Sequence, residues 1–160
     1  MCPPNNPHVS MDPATCRVKG VYMAIGNLGA SPAVILSLHD ETCLPIYIGL
    51  WEAMSIHAAL NNEIPPRPLT HDLFVDFLEQ FNIVLKALVI DSIEDGVYYA
   101  NMILEQNHHE MTMDCRPSDG IAISIRCKAD ILITEEVTSS SAIPAEDLPS
   151  LMDIGTYLAG

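Results

Sequence analysis

Strand-like segments occur in two groups of three along this 160-residue chain, and a helix-like segment follows each group. Aliphatic and β-branched residues dominate these segments, partly in alternation with smaller or polar residues, as half-buried strands require. Short turns separate the segments, including EDG and QNHH in the second group, so each group is predicted to form an antiparallel meander. The predicted strands span residues 16–29, 32–40, 43–49, 83–91, 96–105 and 109–115.

Two predicted helices lie between the two groups of strands. Residues 50–62 are apolar on nearly every side, which is typical of a helix that is buried, often against a partner subunit. This segment therefore predicts a homo-oligomer. Residues 70–81 predict an amphipathic helix with Thr70 as its N-cap. Its apolar stripe consists of Leu73, Phe74, Phe77, Leu78 and Phe81.

The third helix is predicted to begin at Pro117, because proline suits the first helical position and Ser118 and Asp119 follow it. The isoleucines further along this segment alternate as they would in a strand, so the periodicity alone is ambiguous. Laying GLWEAMSI over PSDGIAIS sets Glu52 opposite either Ser118 or Asp119. The two halves can thus be interpreted as a divergent duplication, although the match is short.

The chain is predicted to contain one domain at residues 16–138, since its length suits a single hydrophobic core. A proline-rich arm is predicted at residues 1–15. Residues 139–160 are predicted to form a linker followed by a short C-terminal helix.

The net charge of −14 counts against non-specific binding to a polyanion, so any role with nucleic acid needs a local cationic or metal-bearing patch. No apolar run approaches the roughly 20 residues that span a bilayer, and the first residues do not resemble a signal peptide. Five cysteines without CxxC spacing agree with a reducing compartment. The sequence therefore predicts a cytoplasmic protein that does not contact a membrane.

Acidic residues occur in the first turn of all three predicted helices, namely Glu52, Asp72 and Asp119. Such residues can simply complement the helix dipole. If two or three of them converge, they can instead hold a divalent cation such as Mg²⁺, which polarises phosphoryl oxygens and activates water. The spacing in the sequence leaves both interpretations open.

Basic and histidine side chains accompany the acidic ones in RPLTHDL and DCRPSDG. His71 can act as a general base, or it can fix the loop by a hydrogen bond to a carbonyl group. Arg67 and Arg116 can clamp a phosphate group bidentately, or they can pair with nearby carboxylates. No Walker loop, GxSxG, HExxH or GxGxxG motif is present, which argues against the common nucleotide-dependent and hydrolase classes.

Four segments in order, LPIYIGLWEAMSI, PRPLTHDL, DCRPSDGIAISIR and ILITEEV, resemble the bifunctional nuclease domain family from about Val18 to Val137. The resemblance implies an α+β fold with a mixed, largely antiparallel sheet packed with three to four helices. It also implies homo-oligomers and, from plant members, nuclease activity on DNA and RNA. The positions that match the motifs and carry suitable chemistry are Glu52, Arg67, His71, Asp72, Arg116, Ser118 and Asp119. Gly120 departs from the family motif, which usually has alanine there.

The leading hypothesis from the sequence is a metal-assisted nuclease. Asp72 and Asp119 hold Mg²⁺ or Mn²⁺ with Glu52 as a further candidate, and His71 activates water. Arg67, Arg116 and Ser118 bind the substrate. The alternative is a non-catalytic oligomeric binding or regulatory module. In that case the same residues form a salt-bridge network, with Arg116–Asp72 or Arg67–Asp119 as candidate pairs.

Overall fold

The computed structural model describes residues 13–160, so most of the predicted arm at residues 1–15 lies outside the described residues. The fold is α+β, as predicted. The strands are β1 (Ala14–Gly26), β2 (Gly29–Ser37), β3 (Thr42–Tyr47), β4 (Val84–Glu94), β5 (Val97–Gln106), β6 (His109–Cys115), β7 (Asp130–Ile133), β8 (Ile143–Pro144) and β9 (Ser150–Asp153). The α-helices are α1 (Leu50–Leu60), α2 (Thr70–Gln80), α3 (Pro117–Cys127), α4 (Glu135–Ser141) and α5 (Ile154–Ala159).

The strands form one mixed sheet in the order β6-β5-β4-β7-β1-β2-β3-β8. Both predicted meanders are present, and they lie on either side of β7. β7 pairs antiparallel with β1 and parallel with β4, which is the one parallel pairing among the described strands. The prediction of a mixed, largely antiparallel sheet is therefore confirmed.

The helix α3 lies against the sheet and contacts both α1 and α2, which themselves also contact the sheet. It is buried along most of its length, including Gly120, Ile121 and Ser124. The ambiguous isoleucine alternation arises because a helix in this position buries residues around most of its circumference. A Cβ atom at Gly120 would clash with Leu88 of β4, so glycine allows the helix to approach the sheet closely.

The N-cap prediction for the helix α2 was wrong in detail, and the helix α1 is partly exposed within a single chain. Leu69 rather than Thr70 is the N-cap of α2, because the exposed N–H of Leu69 is bound by the side chain of Asp72 instead. The helix α1 is not buried on all sides. Ala53 and Ile56 are its buried residues, whereas Trp51 is 78% exposed, since α1 packs on α3 and the sheet by one face only.

The apolar stripe predicted on α2 is divided between the core and solvent. Leu78 is buried and Phe74 packs against the core. Leu73, Phe77 and Phe81 are each more than half exposed. Together with the exposed Leu69 they form a row with a spacing of four residues, which we call the α2 stripe.

The C-terminal residues are part of the domain's sheet and core. β9 pairs with the same edge of β1 that β7 occupies nearer its start, with Tyr22 opposite Asp153 and Ile25 opposite Ser150. Ile154 at the start of α5 is fully buried. Within residues 13–160, none of the helices has the length and apolar character to cross a membrane.

Candidate functional site

The first turns of α1 and α2 and both ends of α3 border one open cleft of about 800 Å³. Each of the three helices begins after an extended N-cap residue and carries an acidic residue at its third position: Glu52, Asp72 and Asp119. We call this space the helix-start cleft. It is lined by Trp51, Glu52, Met54, Ser55, His57, Ala58, Glu63, Ile64, Pro65, Leu69, Thr70, His71, Asp72, Arg116, Asp119, Arg126, Gly155 and Leu158.

Asp119 is the centre of the contacts at the start of α3. Its Oδ2 accepts a hydrogen bond from Arg116 Nε at 2.9 Å, and its Oδ1 accepts from Arg116 Nη2 at 3.1 Å and lies 2.8 Å from His71 Nε2. Arg116 Nη2 also lies 3.1 Å from Oε1 of Glu52, which connects α3 to α1. Burial raises the pKa of Asp119, but the hydrogen bonds from Arg116 and His71 outweigh this effect and hold it below its usual value.

Asp72 makes a second ion pair further along the cleft. Its Oδ1 accepts a hydrogen bond from Arg126 Nε at 2.9 Å, and its Oδ2 accepts from the backbone N–H of Leu69 at 3.0 Å. Partial burial raises the pKa of Asp72, and the bonds from Arg126 and Leu69 lower it by more, so the net pKa is below the ordinary value. Arg126 thus ties the last turn of α3 to the first turn of α2.

Ser55 of α1 joins the two ion pairs. Its Oγ lies 2.7 Å from Nδ1 of His71 and 3.1 Å from Nη2 of Arg126. His71 therefore bridges Ser55 and Asp119 through its two ring nitrogens. A continuous chain of hydrogen bonds and ion pairs runs from Glu52 at one end to Asp72 at the other.

Gly49 explains how Glu52 reaches this network. It is the N-cap of α1, and the carboxylate of Glu52 folds back over it into the space that a Cβ atom would occupy. Any larger residue at position 49 would have to displace the carboxylate that contacts Arg116.

Five of the seven positions selected from the sequence line the helix-start cleft, and two do not. Arg67 is exposed and does not belong to the lining, and Ser118 is 5% exposed within α3. Among residues 13–160, the two ion pairs suggested for the structural alternative, Arg116–Asp72 and Arg67–Asp119, do not form. The arginines do form ion pairs, but with other partners. Arg126 pairs with Asp72, and Arg116 pairs with Asp119 and Glu52.

Ser55 and Arg126 were not recognised from the sequence. Ser55 lies three residues after Glu52, and Arg126 lies seven residues after Asp119, so each shares a helix face with a residue that was selected. Positions three and seven residues after a carboxylate lie on the same helix face, so this spacing marks both residues in the sequence.

The lining of the cleft is partly apolar and partly charged. Its walls include Trp51, Met54, Ile64, Leu69 and Leu158. Four carboxylates and two guanidinium groups line it, which leaves two negative charges in excess when the histidines are neutral. This local charge resembles that of the whole chain and does not form a cationic patch.

The donor groups in the cleft do not fit the divalent cation expected from the sequence. All four carboxylate oxygens of Asp72 and Asp119 are already used by N–H donors, and two guanidinium cations occupy the space beside them. Within residues 13–160, no group of three or more histidine, cysteine, aspartate or glutamate side chains has the arrangement to hold a metal ion.

The region that contains the cleft is similar to known proteins. The model of the bifunctional nuclease domain matches residues 34–146. An uncharacterised protein of Mycobacterium tuberculosis is 36% identical over 117 residues, which cover 72% of this chain and 70% of that protein.

Plant relatives are longer than this chain. Bifunctional nuclease 2 of Oryza sativa subsp. japonica is 30% identical over 133 residues, which cover 80% of this chain and 41% of that protein. Bifunctional nuclease 1 of Arabidopsis thaliana is 26% identical over 117 residues, or 70% of this chain and 36% of that protein. This chain therefore matches less than half the length of either plant protein.

Proposed function

Because this chain belongs to the bifunctional nuclease domain family, we propose that it is a nuclease that hydrolyses phosphodiester bonds of DNA, RNA or both. The observation that carries the proposal is the meeting of Glu52, His71, Asp72, Arg116 and Asp119 in the helix-start cleft. All five residues lie inside the part of the chain that matches the family model. The nuclease names of the plant relatives support the same reaction class.

The hydrogen bonds support the roles that we propose for these residues. His71 is oriented by Asp119 through Nε2, so its Nδ1 is the nitrogen available to accept a proton. A water molecule beside Ser55 attacks the phosphorus atom and passes its proton through the Ser55 hydroxyl to His71 Nδ1. The bond to the leaving oxygen breaks, and that oxygen receives the proton from His71.

Arg116 is the group best placed to contact the substrate phosphate. Its side chain is 65% exposed, compared with 12% for that of Arg126. The Nε and Nη2 groups of Arg116 contact Asp119 and Glu52, so the N–H groups of Nη1 are the donors left for a phosphate oxygen. Arg126 is occupied by Asp72, Ser55 and a backbone carbonyl, so we assign it a positioning role.

The nuclease proposal is tested with protein purified from a host deficient in contaminating nucleases. Labelled single-stranded DNA and RNA are incubated with the wild type, Asp72→Asn, Asp119→Asn and the control Asp95→Asn, which changes an exposed turn residue. We expect Asp119→Asn to lower the cleavage rate by about 100-fold or more, because His71 loses the carboxylate that orients it. Asp95→Asn should cleave as the wild type does. Equal cleavage by all four proteins would assign the activity to a contaminant.

Metal dependence is measured in the same assay by adding EDTA and then Mg²⁺ or Mn²⁺. Since the carboxylates of Asp72 and Asp119 are engaged by arginines, we expect cleavage to continue in EDTA. Loss of cleavage in EDTA that either ion restores would instead support the metal-assisted reaction predicted from the sequence.

A non-catalytic binding or regulatory module is the second candidate function. The observation that favours it is the pairing of both aspartates with arginines in a cleft with an excess of negative charge. The phosphate backbone of a nucleic acid gains little binding free energy from a surface with an excess of negative charge. Wild-type protein that cleaves neither DNA nor RNA in the assay would favour this candidate.

We also propose that the protein forms a homo-oligomer through the α2 stripe. Its residues Leu69, Leu73, Phe77 and Phe81 are all more than half exposed, and adjacent apolar residues in a row are typical of protein interfaces. The rings of Phe77 and Phe81 pack against each other at a tilt, with a centroid distance of 4.7 Å and an interplanar angle of 39°.

A further inference from the structure

We propose that Ser55, His71 and Asp119 form a hydrolytic triad that cleaves uncharged carboxylic esters, with Ser55 as the nucleophile. The three side chains come from α1, α2 and α3, and successive members are 2.7 and 2.8 Å apart. All three line the helix-start cleft. This activity goes beyond the nuclease proposal and does not depend on it.

The chemistry of the neighbouring groups fixes where the protons lie. Two hydrogen bonds from Arg116 favour the ionised form of Asp119, and an ionised carboxylate can only accept hydrogen bonds. His71 Nε2 must therefore carry the proton in the contact with Asp119. In neutral imidazole the other nitrogen, Nδ1, then presents its lone pair to Ser55.

Arg126 determines the direction of the hydrogen bond from Ser55. A guanidinium group has donors and no acceptor, so Ser55 Oγ accepts from Arg126 Nη2 at 3.1 Å. The hydroxyl proton of Ser55 is then free to point at His71 Nδ1. The same positive charge beside Oγ favours the alkoxide character that develops during attack.

The arrangement meets the geometric criteria for an activated nucleophile: a hydroxyl, a base and an orienting group, each within hydrogen-bond reach of the next. In serine proteases Nε2 faces the serine and Nδ1 faces the aspartate. Here the two nitrogens exchange these roles, which preserves one donor and one acceptor on the ring. The serine lies on a helix rather than at a GxSxG turn, so no such motif marks it in the sequence.

The substrate class follows from the surroundings of Ser55. The cleft has apolar walls, which favour contact with an uncharged substrate. The apolar lining of the cleft includes Met54, Ala58 and Ile64, which suit a short aliphatic acyl group.

The reaction has two balanced steps. Ser55 Oγ bonds to the ester carbonyl carbon, its proton moves to His71 Nδ1, and the alcohol leaves with that proton as the C–O bond breaks. A water molecule then attacks the acyl carbon and gives a proton to His71. The Oγ–acyl bond breaks, the carboxylic acid is released, and the proton returns to Ser55.

Two measurements test the triad. The first treats the wild-type protein with a short-chain alkyl fluorophosphonate, in which a serine nucleophile displaces fluoride and remains covalently bound, and maps the adduct by peptide mass spectrometry. The second follows hydrolysis of 4-nitrophenyl butyrate by the wild type, Ser55→Ala, His71→Gln and the control Ser92→Ala. Ser92 is a partly buried, hydrogen-bonded serine of β4 that does not line the cleft.

We expect the adduct on Ser55 and a loss of at least about 100-fold in ester hydrolysis for Ser55→Ala and His71→Gln, with Ser92→Ala within about twofold of the wild type. A wild-type protein that is not labelled at Ser55 overturns the proposal, and this result does not require any variant to fold. Ester hydrolysis that Ser55→Ala retains also overturns it. Labelling at Ser55 without cleavage of DNA or RNA would reject the nuclease proposal alone.

Discussion

Two arginines hold the helix starts together, and their burial differs greatly. The side chain of Arg126 is 12% exposed and makes hydrogen bonds to Asp72, Ser55 and the carbonyl of Ala122. That of Arg116 is 65% exposed. Removing one partner of a buried pair leaves the other uncompensated, whereas exposed pairs contribute little.

We therefore predict that Arg126→Met lowers the free energy of unfolding by roughly 2–3 kcal/mol. Arg116→Met should change it by less than about 1 kcal/mol, because water replaces the lost contacts. Urea unfolding of the two variants and the wild type measures both values. Equal losses in the free energy of unfolding would show that the two arginines contribute equally to stability although their burial differs.

Acid should weaken the same network. The hydrogen bonds from Arg116 and His71, and those from Arg126 and Leu69, hold the pKa values of Asp119 and Asp72 below the ordinary value despite partial burial. A lowered pKa in the folded state stabilises the protein above the unfolded pKa of about 3.9, and this contribution disappears as the pH falls through the folded value.

We thus predict that the thermal midpoint of the wild type falls as the pH is lowered below about 4. Asp119→Asn should show a smaller fall over the same range, because one of the titrating groups is missing. Melting curves by circular dichroism between about pH 2 and about pH 6 test this difference. Parallel curves for the two proteins would mean that Asp119 does not contribute to the acid sensitivity.

The residues of the site were partly predictable from the sequence. Acidic residues at the third position of three helices are visible as a pattern, and Glu52, Asp72 and Asp119 do line one cleft. Arg67 was selected beside them, but it lies in the connector before α2 and is exposed outside the cleft. The partners of each carboxylate depend on how helices cross, which the order of residues along the chain does not specify.

At the scale of elements, α3 approaches β4 closely at Gly120. A Cβ atom at Gly120 would clash with Leu88 and lie 3.1 Å from the sulfur of Cys115. Alanine is the better helix former by about 1 kcal/mol, but inserting a methyl group into a packed core costs typically 1–3 kcal/mol.

We predict that Gly120→Ala has a net destabilising effect of about 1 kcal/mol, despite its higher helix propensity. The same substitution in a Leu88→Val background should be better tolerated, because valine vacates the space that the new methyl group needs. A double-mutant cycle from denaturant unfolding measures this coupling. A stabilised Gly120→Ala single variant would show that Leu88 moves aside without cost.

The elements were predicted from periodicity with few errors, and the errors have physical causes. Both meanders and α1, α2 and α3 appear within a few residues of their predicted positions. Thr70 was selected as the N-cap because of its side chain, whereas Asp72 binds the N–H of Leu69 and shifts the cap by one residue. The exposure of Trp51 was not predictable, since a helix that is apolar on all sides does not reveal which side faces the core.

At the scale of the whole molecule, the α2 stripe is the surface through which copies are proposed to associate. We predict that Phe77→Glu lowers the molar mass of the particle measured by light scattering after size exclusion, because the charge would have to be buried at the interface. Val97→Glu, which replaces an exposed apolar residue of β5, is the matched control and should leave the mass unchanged.

A wild-type particle with the mass of one chain would contradict the proposed homo-oligomer. An unchanged multimeric mass in Phe77→Glu would instead place the interface elsewhere, for example at the β6 edge of the sheet, where Met111 and Met113 are exposed.

The central position of β7 has a consequence for how the chain reaches its native state. This strand joins the two meanders, yet it is made of residues 130–133 and pairs with Cys16, more than a hundred positions earlier. Contacts between such distant residues carry a large loop-closure cost and slow the search for the native topology. During translation, the two meanders can form as separate units. They cannot join into one sheet until β7, which ends at Ile133, has left the ribosome.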